Sequence, residues 1–135
     1  MTKEHSLSET QKNYLLVVHE LTCAHGHAHI RAIAGKLEVS MPSVIEVMRV
    51  LEKKKMIVYH KRQHITLSSR AEPLVQELEV RRQAISTFAR QVLEYSPEDS
   101  VELARNMLHC VDEVFCHRLN RHTKKATTST QVSDV

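Results

Sequence analysis

Residues 30–67 constrain this chain more than any other stretch, because their hydrophobic period switches from helix to strand within a short span: IRAIAGKLEVSMPSVIEVMRVLEKKKMIVYHKRQHITL. Ile33, Ala34 and Leu37 share one face of a short helix. Glu38-Val39 form a turn, Ser40 suits the N-cap of a second helix, and Pro42 falls in that helix's first turn, where a missing N–H is tolerated. Val44, Val47, Met48 and Leu51 follow the spacing of a buried stripe, while Ser43, Glu46, Arg49 and Lys53 take the opposite face. The run Lys53-Lys54-Lys55 ends the helix against its negative dipole end. Two β-type runs, 56–59 and 65–67, then flank the cationic tip His60-Lys61-Arg62-Gln63-His64. Helix, turn, helix and hairpin is the sequence form of a winged helix-turn-helix, whose second helix can enter the DNA major groove. A small α-bundle can also contain two amphipathic helices and a hairpin. The tight turn, the proline at the helix start and the basic tip weigh against that simpler reading.

The remaining chain fits one small domain with an extension. Two glycines and no tryptophan leave little room for a large β-structure, so the expected class is mainly α. Charge is uneven: residues 1–70 hold 11 Lys/Arg against 6 Asp/Glu, whereas 71–135 hold 8 against 10. A basic half followed by a mildly acidic one suits a DNA-binding unit joined to a unit with another task. No apolar run reaches the length of a membrane span, and the first residues lack a signal-peptide core, so a cytoplasmic location is expected. Cys23, Cys110 and Cys116 make no even disulfide framework and are read as thiols.

In order, residues 1–7 read as a loose arm, and Ser8 with Gln11 fits a capping box. The first helix is apolar at Tyr14, Leu15, Val17, Val18 and Leu21. After the hairpin, a long helix is expected from Ser68 to about Glu94. A last helix is expected from an N-cap at Ser96 and Pro97, carrying Val101, Ala104, Leu108, Val111, Phe115 and Leu119 on one stripe. The expected organisation is a winged helix-turn-helix DNA-binding domain over 1–70, a two-helix dimerisation domain over 71–120, and a disordered tail over 121–135.

Histidine is abundant, and two clusters have metal-ligand chemistry. The segment Cys23-Ala24-His25-Gly26-His27-Ala28-His29 places three imidazoles at alternate positions, with Cys23 as a conceivable fourth ligand. The plainer reading is a polar loop running into a short strand that pairs with the wing, with Ala28 and Ile30 turned inward. On the last helix, His109, Asp112, Glu113, Cys116 and His117 would share one face, and His109, Glu113, Cys116 and His117 have donors for zinc, nickel, cobalt or copper. A solvated polar face is the commoner meaning of such a pattern. Redox sensitivity of Cys110 and Cys116 is a weaker reading, since nothing nearby clearly lowers a thiol pKa.

Several blocks together resemble the DtxR/MntR family of metal-dependent transcriptional repressors. They are Tyr14, Ile33-Ala34, Val39-Ser40-Met41-Pro42-Ser43-Val44, His64-Ile65-Thr66-Leu67, Leu93-Glu94-Tyr95-Ser96-Pro97-Glu98-Asp99 and the helix containing His109. The resemblance covers about residues 8–120, and the chain resembles the shorter, manganese-type branch. It implies a homodimer on double-stranded operator DNA, with Ser40, Pro42, Ser43 and Glu46 at the base-facing end and Arg49, Lys53, Lys61 and Arg62 on phosphates. It also implies metal ligands at positions that here hold Asn13, Leu16, Gln83, Arg105, Leu108 and His109. Most of these are not donors, so a divalent transition metal, manganese or iron, is not expected there.

The leading expectation is therefore a dimeric DNA-binding regulator with altered or lost metal dependence. The alternative is a histidine-rich metal-buffering protein without specific DNA recognition. No Gly-rich phosphate loop, nucleophile elbow or HExxH-type motif is present, so an enzyme is not expected.

Overall fold

The computed structural model describes the backbone of residues 7–133 and the side chains of residues 7–125. Most of the arm expected over 1–7 lies outside the described residues, but Leu7 is buried. Six helices and one hairpin follow in order: α1 Glu9–His25, α2 Ile30–Leu37, α3 Met41–Lys53, β1 Ile57–Tyr59, β2 Ile65–Leu67, α4 Glu72–Gln91, α5 Pro97–Met107 and α6 Glu113–Ser133. This is a mainly α, winged helix-turn-helix architecture followed by a helical region. The chain divides into two compact units between Gln76 and Glu77, inside α4. No helix among the described residues is long and apolar enough to cross a membrane.

The first unit is assembled by local signals that agree with one another. Ser8 and Gln11 form the reciprocal capping box at the start of α1: Gln11 N donates to Ser8 Oγ, and Ser8 N donates to Gln11 Oε1, both at 3.1 Å. Gln11 Oε1 also accepts from Lys54 Nζ at 3.0 Å, tying the end of α3 to the start of α1. One lysine of the basic run is thus turned to a structural contact. α1 ends at Gly26, whose φ of 87° places it in the left-handed region that glycine adopts without steric cost. Ser40 caps α3 by accepting from Ser43 N, with Pro42 in the first turn.

Tyr14, Leu15, Val17, Val18, Ile33, Val44, Met48, Leu51, Met56, Ile57 and Ile65 make the core of this unit. Val47, expected in the buried stripe of α3, is only half-buried. In the wing, Ile57 pairs with Leu67, Val58 with Thr66 and Tyr59 with Ile65. Ala28 adds a bridge to Ile65: each N–H donates to the other's carbonyl at 2.8 Å. The short strand entering α2 therefore pairs with the wing, with Ala28 and Ile30 buried.

Glu38 closes α2 with φ 56° and ψ 48°, a left-handed conformation in which a side chain is strained. Glu38→Gly is expected to raise stability by up to about 1 kcal/mol, the relief of that strain less the extra freedom glycine gives the unfolded chain. A thermal-melting midpoint that falls in this variant would mean that the carboxylate makes a stabilising contribution.

The second unit departs from the sequence expectation in three places. α4 begins at Glu72, because Ser68 instead organises the preceding turn: its Oγ donates to Lys55 O at 2.7 Å and accepts from Ala71 N at 3.3 Å. The single last helix expected from Pro97 to Leu119 is broken into α5 and α6. Asp112 Oδ1 accepts from Phe115 N at 2.8 Å, so this aspartate acts as a new helix cap where a continuous helix was expected. Val101 and Phe115 are consequently exposed, while Ala104 and Leu108 are buried.

Finally, α6 continues through residues 121–133; residues 134 and 135 lie outside the described set. Among the α6 residues whose side chains are described, Cys116 and Thr123 are buried, with Leu119 half-buried between them. Thr123 Oγ1 donates to Leu119 O at 2.9 Å, satisfying the hydroxyl within the helix. Cys116 falls among the polar residues Glu113 and His117 in the sequence pattern and Thr123 is polar, so apolar periodicity marks neither as buried.

Candidate nucleic-acid interface and metal positions

α3 sorts its residues by face. Val44, Met48 and Leu51 are fully buried, which fixes the helix on the core and turns the other side to solvent. Ser40, Pro42, Ser43, Glu46, Arg49 and Lys53 are all exposed, as are Lys61 and Arg62 at the wing tip. Among the described residues, none of Arg49, Lys53, Lys61 or Arg62 is in an ion pair. Ser40 is engaged as a cap, and its Oγ lies 2.8 Å from Ser43 Oγ. Ser40 therefore sets where α3 starts, leaving its neighbours on the open face.

The same surface carries apolar side chains that the charge pattern did not single out. Val39, Met41 and Val50 are exposed at 38%, 41% and 37%, with Met41 at the first position of α3. Val39 and Met41, at the start of α3, suit the methyl group of thymine, the apolar landmark of the major groove. Tyr59, on the first wing strand, has its phenol pushed up by burial and by Glu52, partly offset by Arg49. The wing tip is a short 3₁₀ turn, Lys61–Gln63, with Arg62 and Gln63 both at positive φ. His60 N donates to His64 O at 2.7 Å, and the His60 imidazole is 2.7 Å from Thr66 Oγ1, so the base of the tip is pinned.

The positions implied as metal ligands by the family resemblance do not fit a divalent cation. Leu16 is buried among the apolar residues of the first unit, and Leu108 is fully buried in the second. Arg105 brings positive charge, and Gln83 donates from its amide to Glu79 Oε1 at 3.1 Å. Asn13 offers an amide oxygen and His109 an imidazole, but a cation of this kind needs several converging donors.

The alternative set is divided between a connection and a helix. His109 lies in the connection between α5 and α6, whereas Glu113, Cys116 and His117 lie on α6 itself. Cys116 is buried, and that burial, with Asp112 adding to it and Arg81 opposing it, raises its thiol pKa, while Glu113 and His117 are exposed. Cys23 and Cys110 are exposed, with Cys23 Sγ 3.7 Å from His19 Nε2. Alkylation of the folded chain at mildly alkaline pH is therefore expected to modify Cys23 and Cys110 well ahead of Cys116, which should react only on unfolding. Peptide mapping by mass spectrometry checks the order, and early labelling of Cys116 would show that α6 opens readily.

One group of three metal-type side chains does converge among the described residues: His27, His29 and His64, with one ligand atom from each lying within 4.8 Å of the others. The sequence groups His27 and His29 with His25 and Cys23, neither of which joins this cluster, and places His64 at the hairpin tip and in the family-like block His64-Ile65-Thr66-Leu67. The signal was present, because a strand through Ala28 that pairs with the wing must bring its neighbours beside a wing residue; only the register was missing.

The sequence matches no family model, and no curated protein matches it. Solved structures do match the fold. The structure of the manganese regulator SloR aligns with a TM-score of 0.71 at 25% identity, covering 84% of this chain and 53% of that one. IdeR of T. acidophilum aligns with a TM-score of 0.76 at 20% identity, covering 86% and 55%. ScaR with bound Zn²⁺ gives 0.60 at 27% identity, covering 84% and 53%. The chain spans about half the length of these structures. The elements thus define a winged helix-turn-helix protein with a helical extension. More narrowly, its fold is DtxR/MntR-like, the fold of these metal-dependent regulators.

Proposed function

We propose that this chain is a DNA-binding transcriptional regulator, a repressor of the DtxR/MntR type that acts as a homodimer on a palindromic operator and has altered or lost the metal control of that family. The observation that carries this reading is the solvent face of α3. It presents Ser43, Glu46 and Arg49 on a helix whose other side is locked into the core, beside a wing that offers Lys61 and Arg62. In this reading α3 enters the major groove. Glu46 accepts from a cytosine amino group or repels wrong sequences, Met41 meets a thymine methyl, and Arg49, Lys53, Lys61 and Arg62 neutralise phosphates.

Dimerisation is supported by the apolar side chains that the second unit leaves exposed, among them Val80, Leu93, Val114 and Phe115. Val80 and Val114 are 60% and 59% exposed, and a second copy of the chain would cover such groups. The domain roles proposed are accordingly DNA binding by the first unit and self-association by the second. Loss of the family's metal control is supported by the buried Leu16 and Leu108 and by Arg105 at positions where donors would be needed.

Fluorescence anisotropy with duplexes from the gene's own upstream region tests the reading, with the protein first in chelator and then with Mn, Fe(II), Co, Ni, Zn or Cu(I). Binding is expected to be salt-sensitive, to favour a palindromic site over random duplex, and to persist in chelator. Equal affinity for random duplex would overturn operator recognition. The second reading, a histidine-rich metal-buffering protein, is favoured by the His27–His29–His64 convergence and predicts metal uptake with no DNA affinity.

A further inference from the structure

His27, His29 and His64 come from two separate segments that the fold brings together in one strand pairing. Gly26 ends α1, the chain leaves it extended, and Ala28 pairs with Ile65 by two backbone hydrogen bonds. This register sets His27 and His29, the neighbours of Ala28, against His64, the neighbour of Ile65. The His27 and His64 rings stack at 3.8 Å with an interplanar angle of 4°, and His29 meets them edge-on at 4.6 and 4.9 Å. His27 Nε2 and His29 Nε2 are 2.9 Å apart, a contact in which one ring donates and the other accepts. At least one of these imidazoles thus presents an unprotonated nitrogen, the form that binds metals.

His29 supplies a second observation. It stands at the N-cap of α2, where Ser, Asp or Asn would cap the helix, yet its side chain makes no capping hydrogen bond. Its imidazole is committed to the other two rings instead. His64 is half-buried, and that partial burial, followed by His27, His29, Arg62 and His60, holds its pKa below the usual histidine range.

We infer that His27, His29 and His64 form a binding site for a borderline divalent transition metal of the zinc class, with water completing the coordination, which fastens the wing to the start of α2. Three imidazoles are the donor set such ions accept, at metal–nitrogen distances of about 2.0–2.1 Å. Lone pairs of two stacked rings lie in parallel planes, so one ring must rotate out of the stack to share an ion with its neighbour. One ligand atom from each of the three rings already lies within 4.8 Å of the others. None of the six positions implied by the family resemblance takes part. The inference is independent of DNA binding, so either can fail alone.

Titration of the full chain with Co²⁺ as a spectroscopic probe, followed by Zn²⁺ competition, tests it. Wild type is expected to take up one equivalent with visible ligand-field bands, and to melt at a higher temperature when loaded. His29→Asn is the decisive variant, because asparagine is a preferred N-cap and the chain should remain folded while metal affinity falls at least about tenfold. His64→Asn should lose affinity likewise, with circular dichroism verifying its fold. Cys23→Ser and His117→Asn should retain it. Absence of Co²⁺ and Zn²⁺ binding by wild type, undiminished affinity in folded His29→Asn, or loss confined to Cys23→Ser or His117→Asn would each overturn the site.

Discussion

Replacing Arg49 and Arg62 together by alanine is expected to weaken DNA binding by about ten- to a hundredfold near 0.1 M salt, and to make the dependence of log affinity on log salt shallower by about two. Each phosphate contact releases roughly 0.9 counterion from B-DNA, so removing two contacts changes slope as well as affinity. Both side chains are exposed and outside any ion pair among the described residues, so their loss should leave the core intact. The weakening should be nearly uniform across sequences, because phosphates carry no base identity. Glu46→Gln is the contrasting variant, since it removes a charge from the face proposed to meet bases. A gain on every duplex would mark Glu46 as a repulsive element, whereas a loss confined to one site would mark a base contact. Unchanged affinity and slope in the arginine double variant would remove α3 and the wing tip from the interface.

The winged helix-turn-helix was legible because several local signals there agree. Ser40 and Pro42 mark the start of α3, Val44, Met48 and Leu51 give a clean stripe, and the hairpin falls between basic residues. The helical extension was less legible because its signals are weak. Asp112 caps a helix from within what reads as an unbroken stripe, and α6 buries Cys116 and Thr123, which lie off the apolar stripe among polar residues. The metal reading turned on information that spacing along one segment does not contain. His109 shares a helical face with Glu113 and His117 only if the helix is continuous, and α5 ends at Met107 while α6 begins at Glu113. His64 joins His27 and His29 only through the Ala28–Ile65 register, a long-range pairing that alternation suggests and cannot align.

That register makes Ile65 the residue on which the wing's position depends. It is fully buried, pairs with Tyr59 across the hairpin, and exchanges two backbone hydrogen bonds with Ala28. Ile65→Ala keeps those bonds available but empties the side-chain volume beneath them, at an expected cost of about 2–5 kcal/mol. Against a typical domain stability of about 5–15 kcal/mol, this is large enough to leave the first unit close to unfolding. Ile65→Val should cost only about 0.5–1.5 kcal/mol. Val58→Ala, on the same hairpin but 41% exposed, should stay within about 0.5 kcal/mol of wild type. Urea denaturation followed by circular dichroism orders the three, with a lower midpoint and an unchanged slope marking a true loss of stability. If Ile65→Ala behaves like Val58→Ala, the hairpin is not anchored through its buried side chain. If the expected order holds, one apolar side chain positions both the cationic tip proposed for DNA and the third imidazole of the histidine cluster. A wing loosened by Ile65→Ala should then lose salt-sensitive DNA affinity and Co²⁺ uptake together, whereas Arg62→Ala should affect the first alone.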